Sequence, residues 1–195
     1  AEYWGIELYD LAAERAAGRL DRVVCANAED PDLLAMIAPG TIDCLVYGDT
    51  IEHFRDPWLT LRNHSQWLVP GGQVVACVPN VQHWSLVHEL LRGHWRYDER
   101  GLLDRTHLRF FTREGVQDLF TEVGLHIDEI ESSCLGPPYP GESYDFQVAL
   151  AGAIAATGGD ADQFQNQSEI FHHLVLARKP ATTAHPGNEK AVVWF

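Results

Sequence analysis

The chain has 195 residues, 46% of them hydrophobic, which suits one domain with a substantial core. Its 14 basic and 28 acidic residues leave a net charge of −14, which repels phosphate backbones and argues against nucleic acid as a partner. No apolar stretch approaches the ~20 residues of a membrane helix and no secretory signal opens the chain, so the expected location is the cytoplasm.

The four cysteines, Cys25, Cys44, Cys77 and Cys134, are widely spaced, and the first three fall in apolar runs that read as buried strands. That pattern fits inert core thiols, not a disulfide framework or zinc knuckles. The chain opens "AEYWGIELYD", without methionine and almost directly on a strand, "YWGIEL". "DLAAERAAGRL" follows at helical spacing, then the strand "DRVVCAN", a weaker helical stretch "EDPDLLAMIAP" and the strand "IDCLVYG". Asp56 and Pro57 start the next helix as N-cap and first helical residue, with Trp58, Leu61 and Leu68 able to share a face before "VPGG" stops it. The strand "QVVACVP" comes next. Apolar strands without period-2 alternation, separated by helices, predict a doubly wound α/β fold with a mostly parallel sheet covered on both faces.

After residue 80 the pattern changes to a run rich in His, Trp and Arg, too irregular for a simple crossover. "REGVQDLFTEVGL" reads as a helix ending near Gly124, and "HIDEIESSC" and "IFHHLVLARKP" as strands able to pair antiparallel at one sheet edge. Between them a Pro/Gly loop, one helix and another loop are expected. Residues 1–179 form the predicted domain, and 180–195 read as a linker or the start of another segment, because the apolar "VVWF" has no obvious partner.

Open parallel sheets bind ligands beyond the carboxyl ends of their strands. Glu7 ends the first strand, where a carboxylate either accepts two hydrogen bonds from ribose hydroxyls or simply starts a helix in solvent. Asn27 and Ala28 end the second, where they read an adenine edge or serve turn chemistry. Asp49, Glu52 and His53 follow the third. A histidine titrates near ~6.5 and so transfers protons in either direction, although a local hydrogen bond between neighbours is an equal reading. No His pair at helical spacing is present, so no metal site is expected. Pro79 and Asn80 end the fourth strand. Beyond them Trp84, Trp95, Tyr97, Arg105, His107 and Arg109 line either a substrate pocket or a packed lid or interface.

Together "GIEL", "ANAED", "IDCLVYGDTIEHFRDPW", "LVPGGQVVACVPN" and "LLDRTHLRFFTREGVQDLF" resemble the class I S-adenosylmethionine-dependent methyltransferases, in particular the branch that includes the ubiquinone-pathway O-methyltransferases. The resemblance implies a Rossmann-like sheet with an antiparallel edge pair and a cap insertion, and S-adenosylmethionine as cofactor. It implies that Glu7, with Leu8, holds the cofactor ribose, that Asn27 and Ala28 lie at its adenine, and that Gly48 and Asp49 pass beside its methionine part. His53 is then the base, oriented by Glu52, and Trp84, Tyr97, Arg105, His107 and Arg109 belong to a substrate-facing cap for a sugar, lipid or quinone-like acceptor. Family members begin with one more strand and a glycine-rich turn, so the chain reads as a fragment of a longer polypeptide with further domains, or as a degenerate domain. A non-catalytic module derived from such an enzyme is the rival expectation. A nicotinamide-dependent oxidoreductase ranks below both, because no Tyr-x-x-x-Lys pair is present.

Overall fold

The computed structural model describes residues 1–133, 142–181 and 191–195. In chain order the elements are β1 (Glu2–Glu7), α1 (Asp10–Ala17), β2 (Arg22–Cys25), α2 (Pro31–Leu34), β3 (Ile42–Gly48), a 3-10 turn (Ile51–His53), α3 (Pro57–His64) and β4 (Leu68–Pro79). They continue with α4 (Trp84–Leu91), α5 (Arg113–Glu122), β5 (His126–Ser133), α6 (Glu142–Ala156), α7 (Ala161–Ser168), β6 (His172–Arg178) and β7 (Ala191–Trp194). The strands form one sheet in the order β2-β1-β7-β3-β4-β6-β5. The first five in that order run parallel, and β6 is antiparallel to both β4 and β5. The doubly wound, mostly parallel sheet with an antiparallel edge pair is therefore what the chain builds. Among the described residues, no helix is long and apolar enough to cross a membrane.

Local chemistry accounts for the element starts. Asp56 caps α3 by accepting from Leu59 N–H at 2.9 Å, and Thr112 caps α5 by accepting from Gly115 N–H at 3.0 Å. Leu61, Trp67, Val116, Leu119 and Phe120 pack against Leu45, Tyr47, Val74, Val78 and Val193 of the sheet to form the core. The opposite sheet face is less covered than the sequence pattern predicts. Val46 pairs with both Val75 and Trp194, so these residues share that face, and Val75 and Trp194 are exposed on it.

Four expectations need correction. Leu68 does not extend α3: the helix ends at His64, and Leu68 is fully buried as the first residue of β4, which takes in "VPGG". Gly71, at φ +81°, and Gly72, where a Cβ would come within 3.0 Å of Val69 O, let that strand bend through a register shift opposite Ile42 and Cys44. The predicted loop before β6 contains α7, capped by Asp160 on Gln163 N–H. The first three cysteines are not core thiols. Cys25 is exposed at the sheet edge, its Sγ donating to Asp10 Oδ1 at 3.0 Å, and Cys44 and Cys77 are half-buried. Cys134 and the Pro/Gly loop lie outside the described residues.

The fourth correction concerns the tail. Residues 191–194 of the expected linker fill the central slot of the sheet, between β1 and β3, with Val193 fully buried. A short β-branched run suits a slot with a strand on either side. The ends of the strand are also fastened. Ala191 N–H donates to Asp43 Oδ2 at 2.7 Å, Phe195 N–H to Val46 O at 3.0 Å, and Thr50 Oγ1 to Phe195 O at 3.2 Å.

Candidate active site

The register places the ends of β1 and β3 at one height. Trp194 of β7 is level with Gly5 of β1 and Val46 of β3, so Glu7 and Gly48 stand at one height on either side of the end of β7. Two strand spacings separate them, roughly 10 Å. Glu7 Oε1 accepts from Tyr9 N–H at 3.1 Å, and Leu8 is exposed beside it. A Cβ on Gly48 would meet nothing within 4 Å, so this strand end borders open space.

Asn27 is exposed, and its Oδ1 turns back to accept from Glu29 N–H at 3.0 Å. Ala28 is positioned from the core. Its carbonyl accepts from His64 Nε2 at 2.9 Å, and His64 Nδ1 accepts from the Tyr47 hydroxyl at 2.9 Å. A donor on one side and an acceptor on the other fix the neutral tautomer of His64. Burial lowers its pKa to about 4. The Phe195 ring stacks on Tyr47 at 4.5 Å and on His64 at 4.9 Å, so the end of β7 braces the same cluster.

Asp49 follows β3 in a left-handed conformation, φ +51°, which turns the chain sharply into the Ile51–His53 turn. Its carboxylate is exposed and lies 3.6 Å from His172 Nε2, with Cys77 close by. Burial and the neighbouring Asp49 raise the Cys77 thiol far above its ordinary range.

The Glu52 carbonyl accepts from Leu108 N–H at 2.8 Å and from Arg109 N–H at 3.0 Å, which holds the segment after α4 against the turn. That clamp brings His107 onto the acid, its Nε2 3.8 Å from Glu52 Oε1 and its ring centroid 4.9 Å from that of His53. His53 Nδ1 donates to Thr106 O at 3.1 Å, and His107 Nδ1 donates to Leu102 O at 3.2 Å. Glu52 is 1% exposed, and neither of its carboxylate oxygens has a hydrogen-bond partner. Burial first, then the negative charges of Asp49 and Asp104, push its pKa up to about 8. His53 is thus oriented by the Thr106 carbonyl, not by Glu52 as expected.

Of the six residues of this segment singled out in the sequence, only His107 joins the acid–histidine pair, and Trp95 packs edge-on against Phe110. Trp84 opens α4 with its ring 6.5 Å from His88, and Tyr97 is exposed. Arg105 pairs with Glu99, and the Arg109 guanidinium donates to Arg55 O. Asn80 is a structural joint: its Nδ2 donates to Gln167 O and Ile170 O, and its Oδ1 accepts from Gln82 N–H. Cys77 and His172 were missed. The adjacent histidines opening β6 were the available signal, since antiparallel pairing sets His172 against Pro79 at the end of β4. A cavity of about 870 Å³ opens at the opposite end of the strands, among Tyr3, Thr41, Asp43 and Ala191. That is the amino end of the parallel strands, where open sheets do not bind their ligands.

The methyltransferase-domain family model matches residues 1–130. Among solved structures the chain is similar to a SAM-dependent methyltransferase from Archaeoglobus fulgidus, with TM-score 0.58, 15% identity and coverage of 90% of this chain and 75% of that one. It is also similar to an S-adenosylmethionine-dependent methyltransferase from Mesorhizobium loti, with TM-score 0.54, 18% identity and coverage of 92% and 81%. The cyclase SpnF matches at TM-score 0.55 and 16% identity, over 92% of this chain and 66% of its own length. No curated protein sequence matches the chain. At such identities the structural likeness carries the fold, and the family model carries the membership. The chain belongs to the methyltransferase-domain family and has the class I fold, for which S-adenosylmethionine is the methyl donor.

Proposed function

We propose that this domain transfers a methyl group from S-adenosylmethionine to a hydroxyl of a small-molecule acceptor, sugar, lipid or quinone-like, in the cytoplasm. One observation carries the reading: beyond the end of β3, His53 has its Nδ1–H held by the Thr106 carbonyl, which leaves the Nε2 lone pair free to take a proton beside a buried acid. The cofactor fits the strand ends. Glu7 and Leu8 would hold its ribose, Ala28 and Asn27 its adenine edge, and Gly48 with Asp49 its amino-acid part, where the open space over Gly48 leaves room. The bound sulfonium supplies an electrophilic methyl group. The protein's own work is to orient the acceptor under the segment from Trp84 to Phe111 and to accept its proton.

Isothermal titration with S-adenosylmethionine and with S-adenosylhomocysteine is the test. Saturable binding of either is expected, and the absence of heat from both would instead favour a non-catalytic module. With labelled donor and a panel of hydroxylated acceptors, His53→Ala should lower methyl transfer by ~10²-fold or more while cofactor affinity stays nearly constant. Unchanged turnover would remove His53 from the mechanism.

A further inference from the structure

Glu52 poses the problem. A carboxylate this deeply buried, with neither oxygen hydrogen-bonded, is protonated, paired or bound to a metal. We propose that Glu52, His53 and His107 form a binding site for a divalent first-row cation.

Three features support it. The ligand atoms of the three side chains all lie within 4.8 Å of one another. Metal–nitrogen bonds of ~2.1 Å at tetrahedral angles put neighbouring ligand atoms about 3.4 Å apart, so side-chain rotations that draw the three together by roughly an ångström close the site. Both imidazoles are already arranged as ligands. Each Nδ1–H is anchored on a backbone carbonyl, that of Thr106 or of Leu102, so each Nε2 presents a lone pair. Finally, Asp49 and Asp104 lie close enough to add to the negative potential at Glu52, which favours a cation there.

Two imidazoles and one carboxylate select Mn²⁺, Fe²⁺, Co²⁺ or Zn²⁺ over Mg²⁺ and Ca²⁺, which prefer all-oxygen shells. Three protein ligands leave coordination positions open. The binding site stands on its ligands alone, whereas its use in catalysis rests on the methyl-transfer reading. In the loaded protein, His53 Nε2 is a ligand. The acceptor hydroxyl loses its proton to solvent as its oxygen binds the cation, and that oxygen takes the methyl group from the sulfonium, leaving S-adenosylhomocysteine. Acceptors with two adjacent oxygens, which can chelate, are the class favoured.

The test uses the chelator-treated chain titrated with Co²⁺, followed by visible absorption and calorimetry, with Mg²⁺ for comparison. Co²⁺ should bind saturably and raise the melting temperature. Glu52→Gln and His107→Gln should each weaken that binding by at least about 10-fold. Their melting curves without metal report whether they fold. His172→Gln, which alters the neighbouring trio of Asp49, Cys77 and His172, should leave binding intact. The proposal is overturned if the unaltered chain binds no Co²⁺, if Co²⁺ binds undiminished to both folded variants, or if His172→Gln abolishes binding. Co²⁺ binding without S-adenosylmethionine binding would sink the methyl-transfer reading and keep the site; the reverse result would keep the enzyme and return His53 to the role of base.

Discussion

Acidification should destabilise this protein through His64, and the size of the effect follows from the structure. His64 is buried and neutral between the Tyr47 hydroxyl and the Ala28 carbonyl, with its pKa lowered from 6.5 to about 4. Below pH ~6.5 the unfolded chain takes up a proton on this residue that the folded chain refuses until about pH 4. Stability is therefore intact above ~6.5 and falls through the window from ~6.5 to ~4. At ~1.36 kcal/mol per pH unit, the loss is about 2 kcal/mol by pH 5 and about 3 kcal/mol once both states are protonated. The assay is urea unfolding of the unaltered chain and of His64→Phe at pH 7.5 and at pH 5. The variant gives up the hydrogen bonds to Tyr47 and Ala28 and begins less stable, but it should lose about 2 kcal/mol less between the two pH values. His83 and His173, whose pKa values burial also lowers to about 4, remain in both proteins and cancel in that difference. Equal losses in the two proteins would refute the burial argument.

Two further outcomes test the strand ends. Asp49→Gly removes a left-handed non-glycine residue and should stabilise the fold by about 1 kcal/mol, seen as a higher melting temperature, while weakening S-adenosylmethionine binding in calorimetry. A variant that binds the cofactor as well as the unaltered chain would remove Asp49 from the proposed site. Phe195→Ala strips a half-buried ring from the stack on Tyr47 and His64 and should cost about 2 kcal/mol in urea unfolding. An unchanged midpoint would mean that β7 does not brace the core in solution.

Most of the sheet was legible in the sequence because it is built from local signals: β-branched runs, the Asp56–Pro57 helix start and the stop near Gly124. What escaped was non-local. His107 stands 54 residues after His53 in the chain, and nothing in their spacing predicts that the Glu52 carbonyl will clamp Leu108 and Arg109 and bring the two rings together. The burial of Glu52 was equally invisible, since an acid beside a histidine near a helix start usually faces solvent. Leu68 was misassigned because its apolar spacing fits a helix face, whereas Gly71 and Gly72 let a strand begin there. The tail looked partnerless because its partners, β1 and β3, lie some 145 residues or more away.

That last arrangement bears on how the chain acquires its structure. β1 and β3 are not hydrogen-bonded to each other; both pair with β7, which follows the other six described strands in sequence. β2-β1 and the four strands β3-β4-β6-β5 can each form early, but they remain two ribbons with facing unpaired edges until residues 191–194 pair between them. Contacts so distant in sequence make the closing step slow. Through that interval the open edges of β1 and β3 can recruit a strand from another copy, so concentration and the rate at which residues 191–194 dock should govern the yield of folded protein.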